Sequence, residues 1–335
     1  MDMKSTIALL VFLATSSASS AQGDWIKAPG LKPGDTIAFV SPAGPAVKER
    51  IEPFAKRLEA DGFKVVFSKN LYKSDRYLGG TDDERVDDMQ QAINDPKIQA
   101  IFPVRGGYGL TRIIGRLDYA PLRKHPKVII GFSDLTALHL AVAAKAKLIT
   151  FHSPLPQVSL WRTDGEFAFA SKSFWRSVLS DKQEGNGFLV ELPTGRAKPE
   201  RLVAGKAQGR LVGGNLSLIC ATLGTSYAIQ AKGNILFLED TGEAPYRVDR
   251  MLSQLKLAGI LDEVAGVVVG SFDKTDAAAV DGVLREYLGR LRVPVVLGFP
   301  IGHAIHNATL PHGARAEIDA DAGLLRILET PVGKP

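Results

Sequence analysis

A serine stands at the junction of a predicted strand and a predicted helix. The apolar β-branched run 128–130 leads into Gly131-Phe132-Ser133, after which Ala, Leu and Val residues recur in a helical pattern. In an α/β sheet, this turn places the serine at the carboxyl end of a strand, with the first helical amides directed at the group it attacks. The pattern indicates a nucleophile elbow, although Leu135 replaces the second glycine of G-x-S-x-G. The alternative is that Ser133 only caps its helix.

The histidines supply candidate bases for this hydroxyl, which is a poor nucleophile until an oriented base removes its proton. His303 lies on a Gly/Pro loop after the apolar run 294–297, so we expect it beyond the carboxyl end of a strand. His306 and His312 share this loop, and position along the chain does not choose among the three. His152 follows another apolar run and could line a cleft, whereas the two remaining histidines are expected to be structural.

Acidic residues follow a further predicted strand and could orient the base. Glu239 and Asp240 come directly after the run 235–238. The chain order Ser, Glu, His is that of α/β-hydrolases. Two acids at the end of a buried strand would otherwise be solvated or would cap the next helix.

A glycine-rich loop precedes the serine strand. Residues 105–109 read Arg-Gly-Gly-Tyr-Gly, and three glycines among five residues let backbone amides approach a phosphate or an oxyanion closely. The absence of G-x-x-x-x-G-K-[ST] and of G-x-G-x-x-G argues against nucleotide binding, and the absence of H-E-x-x-H gives no reason to expect a metal. A plain structural turn remains the alternative.

Composition describes a globular chain of 335 residues with 45% hydrophobic content, and this length favours about two domains. The net charge is +5, but the basic residues are scattered and lack aromatic interleaving. We therefore expect no nucleic-acid partner. Cys220 is the single cysteine, which rules out an intramolecular disulfide.

Residues 1–21 have the pattern of a secretory signal peptide. Lys4 is followed by the apolar run 7–14 and then by small residues that end at Ala21. The run is too short to span a membrane, and no later apolar segment approaches that length. We therefore expect cleavage near Ala21 and a periplasmic protein without a membrane span.

Strand and helix patterns alternate along the chain and predict an α/β fold with two domains. Residues 28–155 should form a Rossmann-like parallel sheet flanked by helices, carrying the candidate serine. The pattern fades over residues 156–205, the predicted interdomain connection. It restarts over residues 206–330, predicted as an α/β domain with mixed β structure and a hairpin around 321–323. The candidate acid and histidine belong to this second domain, so the site should lie in the cleft between domains.

These motifs together resemble the LD-carboxypeptidase family of serine peptidases, which includes murein tetrapeptide carboxypeptidases and microcin immunity hydrolases. They occur in the family's order over nearly the whole chain after the leader. The leader is a departure, because many relatives that recycle cell wall act in the cytoplasm. The matching stretches are Gly34-Asp35-Thr36 with Ser41-Pro42, Arg105-Gly106-Gly107-Tyr108-Gly109, Gly131-Phe132-Ser133-Asp134, Gly213-Gly214-Asn215-Leu216, Leu238-Glu239-Asp240 with Glu243, Pro245-Tyr246, Asp249-Arg250, and Gly302-His303 with Asn307, Leu310-Pro311 and Gly313.

The resemblance implies a role for each member of a Ser-His-Glu triad. Ser133 would be the nucleophile, His303 the general base and Glu239 the partner that orients it. The oxyanion hole would consist of the amide of Asp134 and that of a glycine in the 105–109 loop, for which Gly107 is favoured. The resemblance thus selects His303 over the two neighbouring histidines.

The resemblance also implies a substrate. This is a peptidoglycan stem tetrapeptide, cut between the L-centre of its third residue and the terminal D-alanine. Arg105, Arg247 or a helix N-terminus is chemically suited to bind the free carboxylate, and Asn215 is a further candidate for substrate binding. No cofactor is expected, and the relatives suggest a homodimer.

Two other functions remain open at this point. A self-immunity hydrolase acting on a peptidyl-nucleotide toxin would use the same triad. A periplasmic solute-binding protein would share the leader, the two α/β domains and the cleft, but it would have no use for a serine elbow.

Overall fold

The computed structural model describes residues 24–162, 164–182 and 187–334. The predicted leader, residues 1–21, lies outside them. The strands, in chain order, are β1 (Thr36–Val40), β2 (Lys64–Phe67), β3 (Ala100–Pro103), β4 (Val128–Gly131), β5 (Thr150–His152), β6 (Phe188–Leu189), β7 (Glu200–Val203), β8 (Lys206–Asn215), β9 (Ile235–Thr241), β10 (Gly266–Asp273), β11 (Val295–Leu297), β12 (Leu310–His312), β13 (Arg315–Asp319) and β14 (Leu324–Ile327). The α-helices are α1 (Lys48–Ala60), α2 (Asp82–Asn94), α3 (Leu110–Ile113), α4 (Pro121–Lys124), α5 (Thr136–Ala146), α6 (Ala168–Val178), α7 (Leu216–Thr222), α8 (Pro245–Leu257), α9 (Ile260–Glu263) and α10 (Ala277–Leu288).

The first sheet is the parallel sheet predicted for the N-terminal half. Its strand order is β12-β5-β4-β3-β1-β2, and every neighbouring pair is parallel except β12 with β5. Strand β12 comes from the second half of the chain and pairs Leu310 with His152 of β5. Strand β4 is buried along its whole length, and its carboxyl end leads into the turn that carries Ser133.

The second sheet has the predicted mixed structure. Its order is β6-β14-β13-β8-β9-β10-β11-β7, with β8 to β11 parallel and the flanking strands antiparallel. Strands β13 and β14 form the predicted hairpin. The edge strands β6 and β7 come from residues 156–205, so the predicted connection contributes to this sheet. The α/β fold class with two sheet-centred halves is confirmed, while the domain limits at 155 and 206 stay predictions.

One helix lies elsewhere than its pattern suggests. The sequence favours a helix over residues 281–291, but α10 spans Ala277–Leu288. Its start is fixed by the carboxylate of Asp276, which accepts the backbone N–H of Ala279 at 3.1 Å. The alanines of the first turn carry no amphipathic signal, so the sequence pattern places the start of this helix too late in the chain.

A buried apolar cluster lies between the two sheets. It brings together Ile149 before β5, Leu310 of β12 and Phe237 of β9, each fully buried. Burying apolar surface stabilises by roughly 25 cal/mol per Å². These contacts therefore favour a fixed arrangement of the two sheets. In the described ranges, no helix combines the length and apolar character needed to cross a membrane.

Candidate active site

The turn after β4 holds Ser133 in an unusual backbone conformation. The φ angle of Ser133 is 64°, in the left-handed region that non-glycine residues rarely occupy. Ser133 opens a short 3₁₀ turn that continues into α5, and its side chain caps neither element. The structure therefore excludes the alternative in which the serine only caps its helix. Gly131 must be glycine, since a Cβ there would lie 2.6 Å from the Leu135 side chain.

The glycine-rich loop lies directly against this turn. A Cβ on Gly106 would lie 3.0 Å from the Ser133 Cβ and 3.3 Å from its Oγ. The next residue, Gly107, has φ 113° and is exposed. The carbonyl of Gly106 accepts the N–H of Gly44 at 2.9 Å, which ties this loop to the loop after β1. The close packing explains why the loop is built from glycines.

Two backbone amides beside the serine lack partners. Within residues 24–162, 164–182 and 187–334, the N–H groups of Asp134 and Gly107 have no acceptor. The Asp134 side chain is buried, and its Oδ2 accepts the N–H of Leu110 at 2.9 Å. Burial raises the pKa of Asp134 to about 6, against the opposing effects of the Leu110 hydrogen bond and the charge of Arg85. The Asp134 carboxylate thus stabilises the first residue of α3, Leu110, through this hydrogen bond.

The structure brings His303 and Glu239 together. The Nδ1–H of His303 donates to Oε2 of Glu239 at 2.7 Å, and the Glu239 side chain is fully buried. The His303 ring lies 4.8 Å, centroid to centroid, from the ring of Phe132, the residue before Ser133. Gly302 permits this approach, because a Cβ there would lie 2.8 Å from both Cβ and Oε2 of Glu239. An imidazole bound to a buried carboxylate therefore sits beside the elbow.

Neighbouring polar groups fix the loop that carries His303. The N–H of Gly302 donates to Oδ1 of Asn307 at 3.1 Å. The N–H of Ala304 donates to Oγ of Ser271 at 3.2 Å, and that hydroxyl donates to Asp273 at 2.8 Å. The ring is thus held by its loop as well as by the carboxylate.

The electrostatics of the pair favour a base that can hold a proton. Burial raises the pKa of Glu239, although the hydrogen bond from His303 acts in the opposite direction. Burial alone would lower the pKa of His303, but the hydrogen bond and charge of Glu239, with Asp240 and Asp273, raise it above the ordinary value. The protonated imidazole is therefore stabilised beside its carboxylate.

Family comparisons match both halves of the chain. The model described as the LD-carboxypeptidase N-terminal domain matches residues 37–153, and that of the C-terminal domain matches residues 208–318. The chain belongs to the LD-carboxypeptidase family. The resemblance stated from the motifs is thereby confirmed.

Three relatives illustrate the range of this family. The probable murein peptide carboxypeptidase of Bacillus subtilis is 35% identical over 299 residues, covering 88% of this chain and 91% of that protein. The microcin C7 self-immunity protein MccF of Escherichia coli is 32% identical over 324 residues, covering 88% and 94%. A structure of MccF in complex with glutamyl sulfamoyl guanosine has a TM-score of 0.85 at 30% identity, covering 92% and 100%. The muramoyltetrapeptide carboxypeptidase of Oxalobacter formigenes has a TM-score of 0.75 at 29% identity, covering 90% and 99%.

In the described part of this LD-carboxypeptidase fold, His303 is the one histidine that is hydrogen-bonded to Glu239. His306 is half-buried, with its ring edge-on to Phe169 at 5.7 Å. His139, His152 and His312 are fully buried between the sheets, and we call them the junction histidines. His152 therefore does not line an open cleft. Burial lowers the pKa of each, to about 4 for His139 and about 3 for His312.

Asp240, the residue after Glu239, binds groups at the start of α7. Oδ2 of Asp240 accepts the backbone N–H and the hydroxyl of Ser217, at 2.9 and 2.8 Å. Its Oδ1 accepts the side-chain amide of Asn215 at 2.8 Å, while Oδ1 of Asn215 caps α7 by accepting the Leu218 N–H at 3.3 Å. Both ends of the Asn215 amide are thus bound within the protein, and its role in substrate binding stays a prediction.

The two candidate arginines differ in exposure. Arg247 lies on the first turn of α8 and is 57% exposed, with contacts of 3.5 Å to the Glu243 carboxylate and 3.3 Å to the Tyr246 hydroxyl. Arg105 is half-buried beside Gly44. Their substrate-binding roles also stay predictions.

Sequence reasoning missed a buried arginine near this site. Arg85 lies on the same face of α2 as Met89 and Ala92, both buried. The spacing i, i+4, i+7 marks this face as the core side of the helix. A charged residue on an apolar stripe was therefore the signal that could have identified Arg85.

Proposed function

We propose that this LD-carboxypeptidase family member is a serine-type carboxypeptidase that releases the terminal D-alanine of peptidoglycan stem tetrapeptides. Ser133 is the nucleophile, His303 the general base and Glu239 the group that orients it. The observation that carries the proposal is the hydrogen bond from His303 to buried Glu239, made beside the strained serine turn. The relatives named murein peptide and muramoyltetrapeptide carboxypeptidases support the substrate class.

The proposed mechanism is acyl transfer. Because Nδ1 of His303 donates to Glu239, Nε2 is left to accept the Ser133 proton as the hydroxyl attacks the amide carbonyl. The N–H groups of Asp134 and Gly107, which have no acceptor among the described residues, stabilise the resulting oxyanion. Each such donor is worth roughly 3 kcal/mol.

The second half of the cycle reverses the proton transfer. Protonated His303 gives its proton to the amine of the departing D-alanine, and the peptide remains esterified to Ser133. Water, deprotonated by His303, then attacks the ester carbonyl, the bond from the acyl group to Ser133 breaks, and His303 returns the proton to the serine oxygen. The raised pKa of His303 suits a group that must hold a proton between these steps.

An exopeptidase also needs a partner for the free carboxylate of its substrate. Arg105, half-buried at the start of the glycine-rich loop, and Arg247, exposed at the start of α8, are the proposed candidates. A guanidinium can bind a carboxylate through two parallel hydrogen bonds. Loss of the correct arginine should raise KM more than it lowers kcat.

Substrate profiling tests this function. The purified protein would be incubated with a tetrapeptide ending in an L,D-amide bond, a pentapeptide ending in D-alanyl-D-alanine and an aminoacyl sulfamoyl nucleoside. We expect D-alanine release from the tetrapeptide. A solute-binding protein would bind a peptide and release nothing, which would refute the proposal.

The second candidate function is hydrolysis of a peptidyl or aminoacyl nucleotide. It is favoured by the TM-score of 0.85 to MccF, whose structure holds glutamyl sulfamoyl guanosine. The same three residues would carry out this reaction. Faster turnover of the sulfamoyl nucleoside than of the tetrapeptide would favour it.

We further propose that residues 1–21 export the protein to the periplasm and that it forms a homodimer. Amino-terminal sequencing of the mature protein from a periplasmic extract should begin near residue 22. Light scattering on the protein as it elutes from a size-exclusion column should give about twice the mass of the mature chain. A cytoplasmic uncleaved chain or a monomer would overturn the corresponding proposal.

A further inference from the structure

A buried arginine contacts both the glycine-rich segment and the loop after β1. The Arg85 side chain has no exposed surface, and it extends from α2 beneath these loops. Its Nη1 donates to the carbonyl oxygens of Pro42, after β1, and of Gly109, after β3. Its Nη2 donates to the carboxylate of Asp82 in the first turn of α2. One guanidinium thus fixes the backbone of two separate loops.

The segment from Gly106 to Leu110 is held at three backbone points. The carbonyl of Gly106 accepts from Gly44 at 2.9 Å, and that of Gly109 accepts from Arg85 at 3.0 Å. The N–H of Leu110 donates to the Asp134 carboxylate at 2.9 Å. These contacts lie on both sides of Gly107. Its N–H, which has no acceptor in the described chain, is therefore held by its neighbours.

Gly109 is shaped to accept the guanidinium. Its φ angle is 134°, and a Cβ there would lie 2.7 Å from Nη1 of Arg85 and 2.8 Å from the Leu78 side chain. The loop backbone is thus packed directly onto the arginine. A larger residue at this position would push the loop away from it.

Burying the charge of Arg85 on this face of α2 costs desolvation free energy. Desolvating a guanidinium is unfavourable unless its donors are paired, and Nε of Arg85 has no acceptor among the described residues. An apolar side chain would fill the same face without that penalty. What only the arginine supplies is a rigid fork that binds two carbonyls and a carboxylate together.

We propose that Arg85 is a positioning residue for the oxyanion hole. It touches neither substrate nor the reacting atoms, and it acts by holding the N–H of Gly107 where negative charge develops on the substrate carbonyl oxygen. This inference rests on the proposed function. A donor displaced by about 1 Å can cost about 100-fold in rate.

The test compares Arg85 with a matched arginine. Arg112 also binds Asp82, at 2.8 Å, but its side chain is 37% exposed, and its described side-chain hydrogen bonds go to Asp82 and not to the Pro42 or Gly109 carbonyl. We expect Arg85→Ala to lower kcat for D-alanine release about 100-fold with KM changed less than about threefold. Arg112→Ala should change neither more than about threefold. Millimolar guanidinium should partly restore the Arg85→Ala rate.

A second readout separates this inference from the peptidase proposal. The rate at which a fluorophosphonate probe labels Ser133 depends on the oxyanion hole but not on the natural substrate. We expect Arg85→Ala to be labelled at least tenfold more slowly than the wild type or Arg112→Ala. Wild-type protein that reacts with the probe but releases no D-alanine would refute only the substrate assignment. Slow labelling of Arg85→Ala would still support the inference.

Two results would overturn the positioning role. One is a folded Arg85→Ala protein that keeps wild-type kcat and labelling rate. The other is a variant in which only KM rises, because that pattern indicates substrate binding. If Arg85→Ala does not fold, Gly109→Ala tests the same contact from the loop side. It should show the same loss of kcat and slow labelling, and full activity in Gly109→Ala would contradict the inference.

Discussion

Replacing Glu239 with glutamine would remove a buried negative charge while nearly preserving the shape of the side chain. In the folded protein its carboxylate accepts the Nδ1–H of His303 at 2.7 Å and is fully buried. Water therefore screens the pair weakly, and the charge acts more strongly than at a surface. A glutamine amide keeps the hydrogen bond only when its oxygen faces His303. In the opposite orientation its NH₂ group favours the wrong imidazole tautomer.

The expected loss follows from these contacts. A positioned base contributes about 10²- to 10⁴-fold to a rate, and loss of the carboxylate in another serine-protease triad costs about 10⁴-fold. We therefore expect Glu239→Gln to lower kcat by about 10³- to 10⁴-fold. That factor corresponds to about 4 to 5.5 kcal/mol of transition-state stabilisation.

The Glu239→Gln substitution should also shift the pH dependence of kcat/KM. The base works when it is neutral, so kcat/KM rises with pH through the pKa of free His303. Glu239 raises that pKa, whereas burial of the ring lowers it. Removing the Glu239 carboxylate removes the strongest of the effects that raise this pKa, so the pKa of His303 should fall. The acid limb of the Glu239→Gln profile should therefore lie at lower pH than that of the wild type, below a reduced plateau.

The assay is kcat/KM for D-alanine release from pH 5 to 9, with circular dichroism to confirm folding. Asp240→Asn is the matched control, because Asp240 binds Ser217 and Asn215 and acts on His303 only through its charge, without a hydrogen bond. We expect the control to lose thermal stability but to keep a plateau within about tenfold of the wild type. A folded Glu239→Gln protein with a wild-type plateau and an unshifted profile would refute the reasoning.

Three further predictions concern the loop and the histidines around the site. Gly302→Ala places a Cβ 2.8 Å from Glu239, so we expect kcat to fall about 100-fold through displacement of the imidazole, and unchanged kcat would contradict this packing argument. His306→Ala should keep activity within about threefold, because His306 packs on Phe169 and has no described hydrogen bond to Glu239, and a loss as large as that of His303→Ala would reassign the base. The junction histidines are neutral in the folded protein, but in the unfolded chain they bind a proton below about pH 6.5. Protonation therefore stabilises the unfolded chain, and as the pH falls from about 6.5 toward the folded pKa, each histidine should lower the free energy of unfolding by up to about 1.4 kcal/mol per pH unit. Urea unfolding at pH 7.5 and pH 5 measures this loss, which the raised pKa of Asp134 partly offsets, and higher stability at pH 5 than at pH 7.5 would contradict their neutral burial.

Local patterns were sufficient for the part of the fold that carries the serine. The β-branched run before Gly131 and the helical pattern after Ser133 predict the strand, turn and helix that the structure contains. Alternation of strands and helices predicts the parallel sheet. These features depend on the period of the side chains along a short segment, which a single sequence displays directly.

Long-range pairing was not predictable in this way. Strand β12 completes the first sheet from the second half of the chain, and strands β6 and β7 come from a stretch whose composition suggested a connection. Short edge strands carry too few residues for a clear period, and their partners are distant in sequence. The selection of His303 over His306 and His312 likewise required the family resemblance, because all three share one loop. Only the structure shows the contact of His303 with Glu239.

The central claim is that Ser133 opens the L,D-amide bond. Mass spectrometry of a defined stem tetrapeptide, incubated with equal amounts of wild-type protein and Ser133→Ala, tests it most directly. We predict conversion of the tetrapeptide to tripeptide with one D-alanine released per molecule by the wild type, and intact tetrapeptide with the folded variant. Equal D-alanine release by both proteins, or none by the wild type, would contradict the account.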